Sequence, residues 1–349
     1  MGGVLLVVPS APITHAVAPE AVLERAEERA EGLAETILPA AGPNLRMLVI
    51  VNPYATTVSD RLKNLVVYAL RGRYDVEAVD TEAQSHATEI CRDAAAAGYD
   101  VVVAFGGDGT VNEAANGLAG SDTPLTCLPG GATNVFGRIL GIPNDVVDAT
   151  EHLLRMADSF EPRLVDTGLV NGRHFTFSSG IGLDASVVER VDRHPRLKAR
   201  LGQYYFTYAA IGTFNRRYLI SPPRFRVEVN GDALDGVTMI VQNCDPFTYF
   251  GRRPIRICEG ADLDDGAISL SVLKRATPLE LATVIPRVFS ARAETVGRHR
   301  QIEAFPSVGS AHVTSLDERP LPVQVDGDYI GDFDEVAYGV APGSLAVVS

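Results

Sequence analysis

Apolar and polar positions follow two different periods along this chain, and the change falls near residue 165. From residue 46 to about 164, short apolar runs at 47–51, 74–79, 101–105 and 125–128 alternate with segments of helical period at 59–70 and 86–97. Such alternation predicts a parallel sheet wrapped by helices with right-handed crossovers. Beyond Val165 the runs become short and two-periodic, at 172–178, 225–229, 238–241, 267–273, 311–315, 322–325 and 345–348. These predict a mainly antiparallel β-sandwich domain with one or two inserted helices. Ahead of both, residues 19–38 place Val22, Ala26, Ala30, Leu33 and Ile37 on one stripe between glutamates. That pattern predicts a helix that packs on the body or on a second subunit. Pro39-Ala40-Ala41-Gly42-Pro43 then serves as a linker. The expected organisation is an extension at 1–45, an α/β nucleotide-binding domain at 46–165 and a β-rich domain at 166–349, with a return of the chain to the first domain near its end left open.

Composition narrows the class. The chain has 349 residues, 46% hydrophobic and 21% charged, enough for two domains with substantial cores. No apolar run reaches the eighteen residues of a membrane span. Met1 to Pro9 lacks the basic start and the length of a signal peptide, so the expected compartment is the cytosol. Cys91, Cys127, Cys244 and Cys258 are scattered, without zinc or disulfide spacing. The net charge of -13 argues against a nucleic-acid partner. The acidity is concentrated in the first half: residues 1–160 hold 21 acids and 10 bases, residues 161–349 hold 23 and 21.

The run from Val101 to Glu113 carries the clearest chemistry. An apolar strand ends in Gly106-Gly107-Asp108-Gly109 and turns into a helix near Thr110. Glycines allow close backbone approach, and the amides opening a helix suit an anionic phosphate. Asp108 sits where it could hold a metal ion against that phosphate. The pattern points to a nucleotide-phosphate site of a kinase, although a plain strand-to-helix turn has the same glycines. The chain's lysines, Lys63, Lys198 and Lys274, follow no glycine, so no P-loop is present. About twenty residues on, a second strand ends in Pro129-Gly130-Gly131-Ala132-Thr133-Asn134. Two such strand ends can lie side by side at the carboxyl edge of a parallel sheet, with Arg138 facing the same crevice or simply the surface.

Three further segments each admit two interpretations. Asp262-Leu263-Asp264-Asp265-Gly266-Ala267 can bind a hard cation through oxygen or form an Asp-Gly hairpin. Asp326-Gly327-Asp328 can offer a general base if its turn points at the nucleotide, but spacing alone slightly favours a bare hairpin. The basic stretch 190–200, followed by the aromatic residues at 204–208, suits anionic lipid headgroups. A solvated face beside a buried aromatic helix is the commoner explanation. His86, opening a helix after the Thr81 loop, suits capping or packing better than catalysis.

Taken together, the motifs resemble the soluble diacylglycerol kinase catalytic-domain family, which includes bacterial lipid kinases and sphingosine and ceramide kinases. The resemblance runs from about Met47 to the C-terminus. Its most specific part is Gly106-Gly107-Asp108-Gly109-Thr110 with Asn112-Glu113 and Asn116-Gly117-Leu118. Pro129 to Pro143 is similar to the family's second motif, which separates it from NAD kinases and phosphofructokinases sharing the GGDG core. Asp166-Thr167-Gly168, Gly180 to Ala185 and residues 261–267 resemble further motifs.

The resemblance implies an ATP- and Mg²⁺-dependent lipid kinase that phosphorylates a hydroxyl of a membrane lipid, diacylglycerol or a related one. It implies nucleotide contacts from Asn52, Pro53, Thr81, Gly106, Gly107, Asp108, Gly109, Thr110, Glu113, Gly131, Thr133 and Asn134. Arg138, Asp166 and Asp265 would form a charge network, and Asp262, Asp265 and the Ala267 carbonyl would hold a structural Mg²⁺. Asp328 would be the base for the lipid hydroxyl, with Asp108 the second catalytic carboxylate. A homodimer, resting peripherally on the inner face of the membrane, is also implied. The chain departs from the family's pattern at Ala55-Thr56-Thr57, where a basic residue is missing, at Ala132 and Val135, and at Asp328, one methylene shorter than glutamate. Alternatives are an NAD kinase-like small-molecule kinase or a catalytically weak lipid-binding regulatory member of the fold.

Overall fold

The computed structural model describes residues 19–36, 45–55, 58–183, 185–186, 222–317 and 319–349. The basic-aromatic stretch at 190–208, the linker at 39–43, and Thr56, Thr57 and Asp184 lie outside them.

The first helix, α1 (Pro19–Thr36), buries Ala30. Next come β1 (Leu45–Val51), α2 (Asp60–Leu70), β2 (Tyr74–Asp80), α3 (His86–Ala96), β3 (Val101–Gly106), α4 (Asp108–Leu118), β4 (Leu125–Pro129), α5 (Val135–Ile139) and α6 (Val146–Met156). The strands are parallel in the order β2-β1-β3-β4. Every residue of β3 and β4 is buried, as expected for central strands covered on both faces. The helix α6, not named by the sequence reading, starts at Asp145, whose carboxylate accepts from the amides of Val147 and Asp148. The stripe residues Ala26, Ala30 and Leu33 of α1 pack on this body, while beside them Glu27 accepts from Ser59 Oγ at 2.6 Å and pairs with Arg61, and Arg29 pairs with Asp145 and Asp148.

The chain then becomes antiparallel. The strands are β5 (Arg163–Val170), β6 (Arg173–Phe175), β7 (Ser178–Ile181), β8 (Phe225–Val229), β9 (Asp232–Gly236), β10 (Thr238–Gln242), β11 (Thr248–Phe250), β12 (Arg253–Ile255) and β13 (Ile268–Leu273). After α7 (Pro278–Val288) and α8 (Ala293–Gly297) come β14 (Ile302–Val308), β15 (Ser310–Ser315), β16 (Leu321–Val325), β17 (Asp328–Phe333) and β18 (Glu335–Val347). One sandwich sheet has the order β14-β13-β10-β7-β16-β17. The other continues the parallel sheet through β4-β18-β15-β8-β9. Side chains of Phe175, Phe225, Met239, Leu270, Val323 and Tyr338 fill the space between the two layers.

Two expected runs are corrected. The run 172–178 is two strands, because Asp326 takes the amides of Thr176, Phe177 and Ser178 that a continuous ladder would use. The short run at 345–348 is the end of β18, a 13-residue strand. It pairs antiparallel with β15 and β5 and meets β4 in parallel at Val347 and Leu125. A register shift between Ala341 and Leu345, around Pro342 and Gly343, hides its length from a two-residue period. By this strand the C-terminal segment enters the sheet of the first domain, and Leu345 and Val347 join that domain's core.

Candidate active site

Neighbouring β3 and β4 pair through Gly106 and Pro129, so both glycine turns leave the sheet at the same edge. The turns touch backbone to backbone. Gly130 N–H donates to Gly106 O at 2.9 Å, and a Cβ added at Gly131 would lie 2.8 Å from Gly107 Cα. A side chain cannot enter there without separating two main chains. Gly107 is the N-cap of α4 and offers no side-chain acceptor, so the first-turn amides and the positive end of the helix stay available to an anion. At the end of β1, Asn52 N–H donates to Phe105 O at 3.0 Å and its Nδ2 donates to Thr110 Oγ1 at 3.1 Å. Pro53 follows it, and the amide of the buried Thr81 donates to Val51 O at 2.8 Å. Four parallel strand ends thus converge on one edge, where ligands bind in open α/β sheets.

The carboxylate of Asp108 links the two turns. Its Oδ2 accepts from Thr133 Oγ1 at 3.0 Å, and its Oδ1 accepts from Phe136 N–H at 3.3 Å, in the first turn of α5. Burial pushes its carboxyl up to about 7; the bonds from Phe136 and Thr133 pull it back, and the charge of Asp326 adds to the rise. Asn134 has a left-handed backbone (φ 48°) and closes its own loop through Gly131 N–H and Gly131 O. Glu113 accepts from the amides of Ser85 and Ala87 at 2.8 and 3.3 Å. Ser85 provides no side-chain cap for α3, so Glu113 supplies the missing acceptor from a neighbouring helix. His86 Nδ1 accepts from Glu82 N–H in the same turn.

From the sandwich, the β16–β17 turn reaches this edge. Asp326 (φ 48°) and Gly327 (φ 86°) form the turn, and Asp328 follows with its carboxylate against Gly109. A Cβ built on Gly109 would lie 3.1 Å from Asp328 Cγ. Asp326 is 2% exposed and accepts five bonds: from Thr176 N–H, Thr176 Oγ1, Phe177 N–H, Ser178 N–H and Asn112 Nδ2, all at 2.7–3.1 Å. Burial pushes the Asp326 carboxyl up, while the amides of Thr176, Phe177 and Ser178 draw it down. Asn112 also donates to His174 O and accepts from Arg173 at 2.8 Å, and Asn116 Oδ1 accepts from His174 N–H at 3.0 Å. These asparagines and Asp326 fasten α4 to the sandwich, and sequence reasoning gave them no role. The available signal was two amides four residues apart on the buried face of α4, among Val111, Ala114, Ala115 and Leu118.

The residues expected to form a charge network divide into two groups. Arg138 lies over the Tyr249 ring, 3.3 Å from its centroid, and donates to Gly251 O at 3.2 Å. Among the described residues no ion pair joins it to Asp166 or Asp265. Asp166, buried, accepts from Gly343 N–H at 2.7 Å and Gly266 N–H at 2.6 Å. Asp265 Oδ1 accepts from Ala267 N–H; burial pushes its carboxyl up, and the nearby charges of Asp166 and Asp262 add to that. Asp262 Oδ1 accepts from Leu263 N–H at 2.8 Å. These are oxygen donors of the kind a hard divalent cation takes, and among the described residues no three His, Cys, Asp or Glu side chains converge at metal distance.

Comparison with known proteins agrees with this architecture. Residues 46–161 match the model of the diacylglycerol kinase catalytic domain, and residues 178–349 match that of the YegS C-terminal NAD kinase beta sandwich-like domain. A diacylglycerol kinase from Bacillus subtilis (strain 168) is 28% identical over 263 residues, covering 74% of this chain and 80% of its own. One from Staphylococcus aureus (strain bovine RF122) is 28% identical over 292 residues, covering 82% and 87%. A crystal structure of a candidate diacylglycerol kinase from Bacillus anthracis superposes with a TM-score of 0.65 at 26% identity, covering 88% of this chain and 96% of that one.

Proposed function

This chain belongs to the diacylglycerol kinase catalytic-domain family of bacterial lipid kinases, and on that footing we propose that it transfers the γ-phosphate of ATP to a hydroxyl of a membrane lipid, diacylglycerol or a close relative. The observation that carries the proposal is the carboxylate of Asp328 lying against Gly109, in the first turn of the helix that opens on Gly107. A proton acceptor from one domain meets the phosphate cradle of the other.

In this reaction the amides of the Gly106–Gly109 turn and of α4 bind the phosphates, helped by the Gly130-Gly131 turn. Asn52 holds Thr110 in place. Asp328 accepts the proton of the lipid hydroxyl as its oxygen attacks the γ-phosphorus in line, and ADP departs. Positioning and charge neutralisation supply most of the catalysis in phosphoryl transfer. Mg²⁺, when bound, supplies that neutralisation; Asp108 would hold it at the phosphates, and Asp262, Asp265 and the Ala267 carbonyl would hold a structural ion. Arg138, stacked on Tyr249, presents positive charge at the mouth of the cleft.

The test is transfer of labelled γ-phosphate to a panel of lipids in mixed micelles, with NAD as the soluble acceptor and Asp108→Ala as the blank. A labelled lipid that vanishes in the variant supports the reading. Label on NAD alone, or none on any lipid from folded protein that binds ATP, overturns it.

A further inference from the structure

The helix α7 is apolar on two sides. Its inner side, with Leu281, Val284 and Val288, packs on Val237, Leu273 and Ile302. On its outer side Leu279 is 71% exposed, and Ile285 and the following Phe289 are each 41% exposed. A surface helix ordinarily turns charge outward, and contiguous exposed apolar side chains mark an interaction surface.

The patch continues onto the β11–β12 hairpin. Phe250, 40% exposed, meets Phe289 edge to face with ring centroids 5.8 Å apart. The same hairpin carries Tyr249 under the Arg138 guanidinium and the Gly251 carbonyl that Arg138 bonds, so it rims the cleft. Arg252 and Arg253 in the hairpin, Arg275 before α7 and Arg292 after it are all exposed, and none forms an ion pair with any described residue. This basic, apolar face sits on a protein of net charge -13. Two copies meeting face to face would oppose arginine to arginine, whereas an anionic bilayer complements both the charge and the apolar side chains.

We propose that the outer side of α7 and the β11–β12 hairpin form a membrane-docking surface that sets the mouth of the cleft on an anionic lipid bilayer. The purpose of that docking, access to a lipid hydroxyl, rests on the kinase reading; the binding itself does not.

The experiment is flotation of the full chain with vesicles of phosphatidylcholine alone and of its equimolar mixture with phosphatidylglycerol. The parent is expected to bind the anionic vesicles and to be released by high salt. Arg252→Ala/Arg253→Ala should bind roughly 25-fold more weakly, about fivefold per arginine. Leu279→Glu/Phe289→Glu should lose binding. Both variants should keep the parent's thermal midpoint and its transfer to a short-chain, water-dispersed lipid. Parent protein that ignores both vesicles, or variants that bind as the parent does, would overturn the proposal. So would a Leu279→Glu/Phe289→Glu variant that dissolves a dimer in sedimentation while still binding vesicles. Parent protein that binds vesicles but transfers no phosphate would refute the kinase reading and leave the docking surface standing.

Discussion

Replacing Asp108 by asparagine should make the protein more stable and less active. The carboxylate is half-buried between Thr133 Oγ1 and Phe136 N–H, and desolvation raises its carboxyl from 3.8 to about 7. Asparagine keeps an acceptor for Phe136 and offers a donor to Thr133, without a desolvated charge. The sign follows from linkage. Because the folded value is the raised one, the stability contributed by neutral Asp108 is full below about pH 4 and is lost as pH climbs to about 7. At about 1.4 kcal/mol per pH unit, the rise to about 7 amounts to about 4 kcal/mol as an upper figure. Urea unfolding of both proteins at pH 4 and pH 8 isolates the residue, because the remaining buried carboxyls, Asp326 and Asp265 among them, cancel in the difference. Parent and variant should nearly coincide at pH 4, and the variant should lead by several kcal/mol at pH 8. A gap that does not widen with pH would refute the assignment of a raised, desolvated Asp108. The gain in stability should come with lost phosphate transfer, the trade expected where a destabilising desolvated charge is kept for function.

Three other outcomes follow from the same geometry. Gly131→Ala puts a Cβ 2.8 Å from Gly107 Cα, where only main chain can yield; about 1–3 kcal/mol of destabilisation in urea and a weakened ATP affinity by calorimetry are expected. Asn112→Ala leaves the buried Asp326 and Arg173 each short of a partner, so denaturation should show a loss of about 1–3 kcal/mol. Burial pushes Cys91, Cys127 and Cys258 to about 12 and Cys244 well above its usual value, so a thiol reagent at pH 8 should label native protein at none of the four and unfolded protein at all.

The sequence made the nucleotide edge legible because its signals are local. Glycines at 106, 107, 109, 130 and 131 follow apolar strands directly, and two such units in succession lie adjacent in a parallel sheet. What escaped depends on contacts distant in sequence. Asp326 has all the marks of a hairpin residue until Thr176, Phe177, Ser178 and Asn112 are brought around it. The nearness of Asp328 to Gly109 spans 219 positions and follows from β18 re-entering the first sheet, a strand whose period Pro342 and Gly343 interrupt. The bonds that Asp108 accepts from Thr133 and Phe136, which join the two turns, become visible only once those turns touch.

The central claim is that a carboxylate carried by the sandwich serves the phosphate cradle of the α/β domain, and Asp328→Asn tests it most directly. Phosphate transfer and ATP affinity should be measured side by side on the folded variant. The account predicts that transfer falls by about two to four orders of magnitude, the contribution of a general base, while ATP affinity is little changed. Transfer within a few-fold of the parent would contradict it.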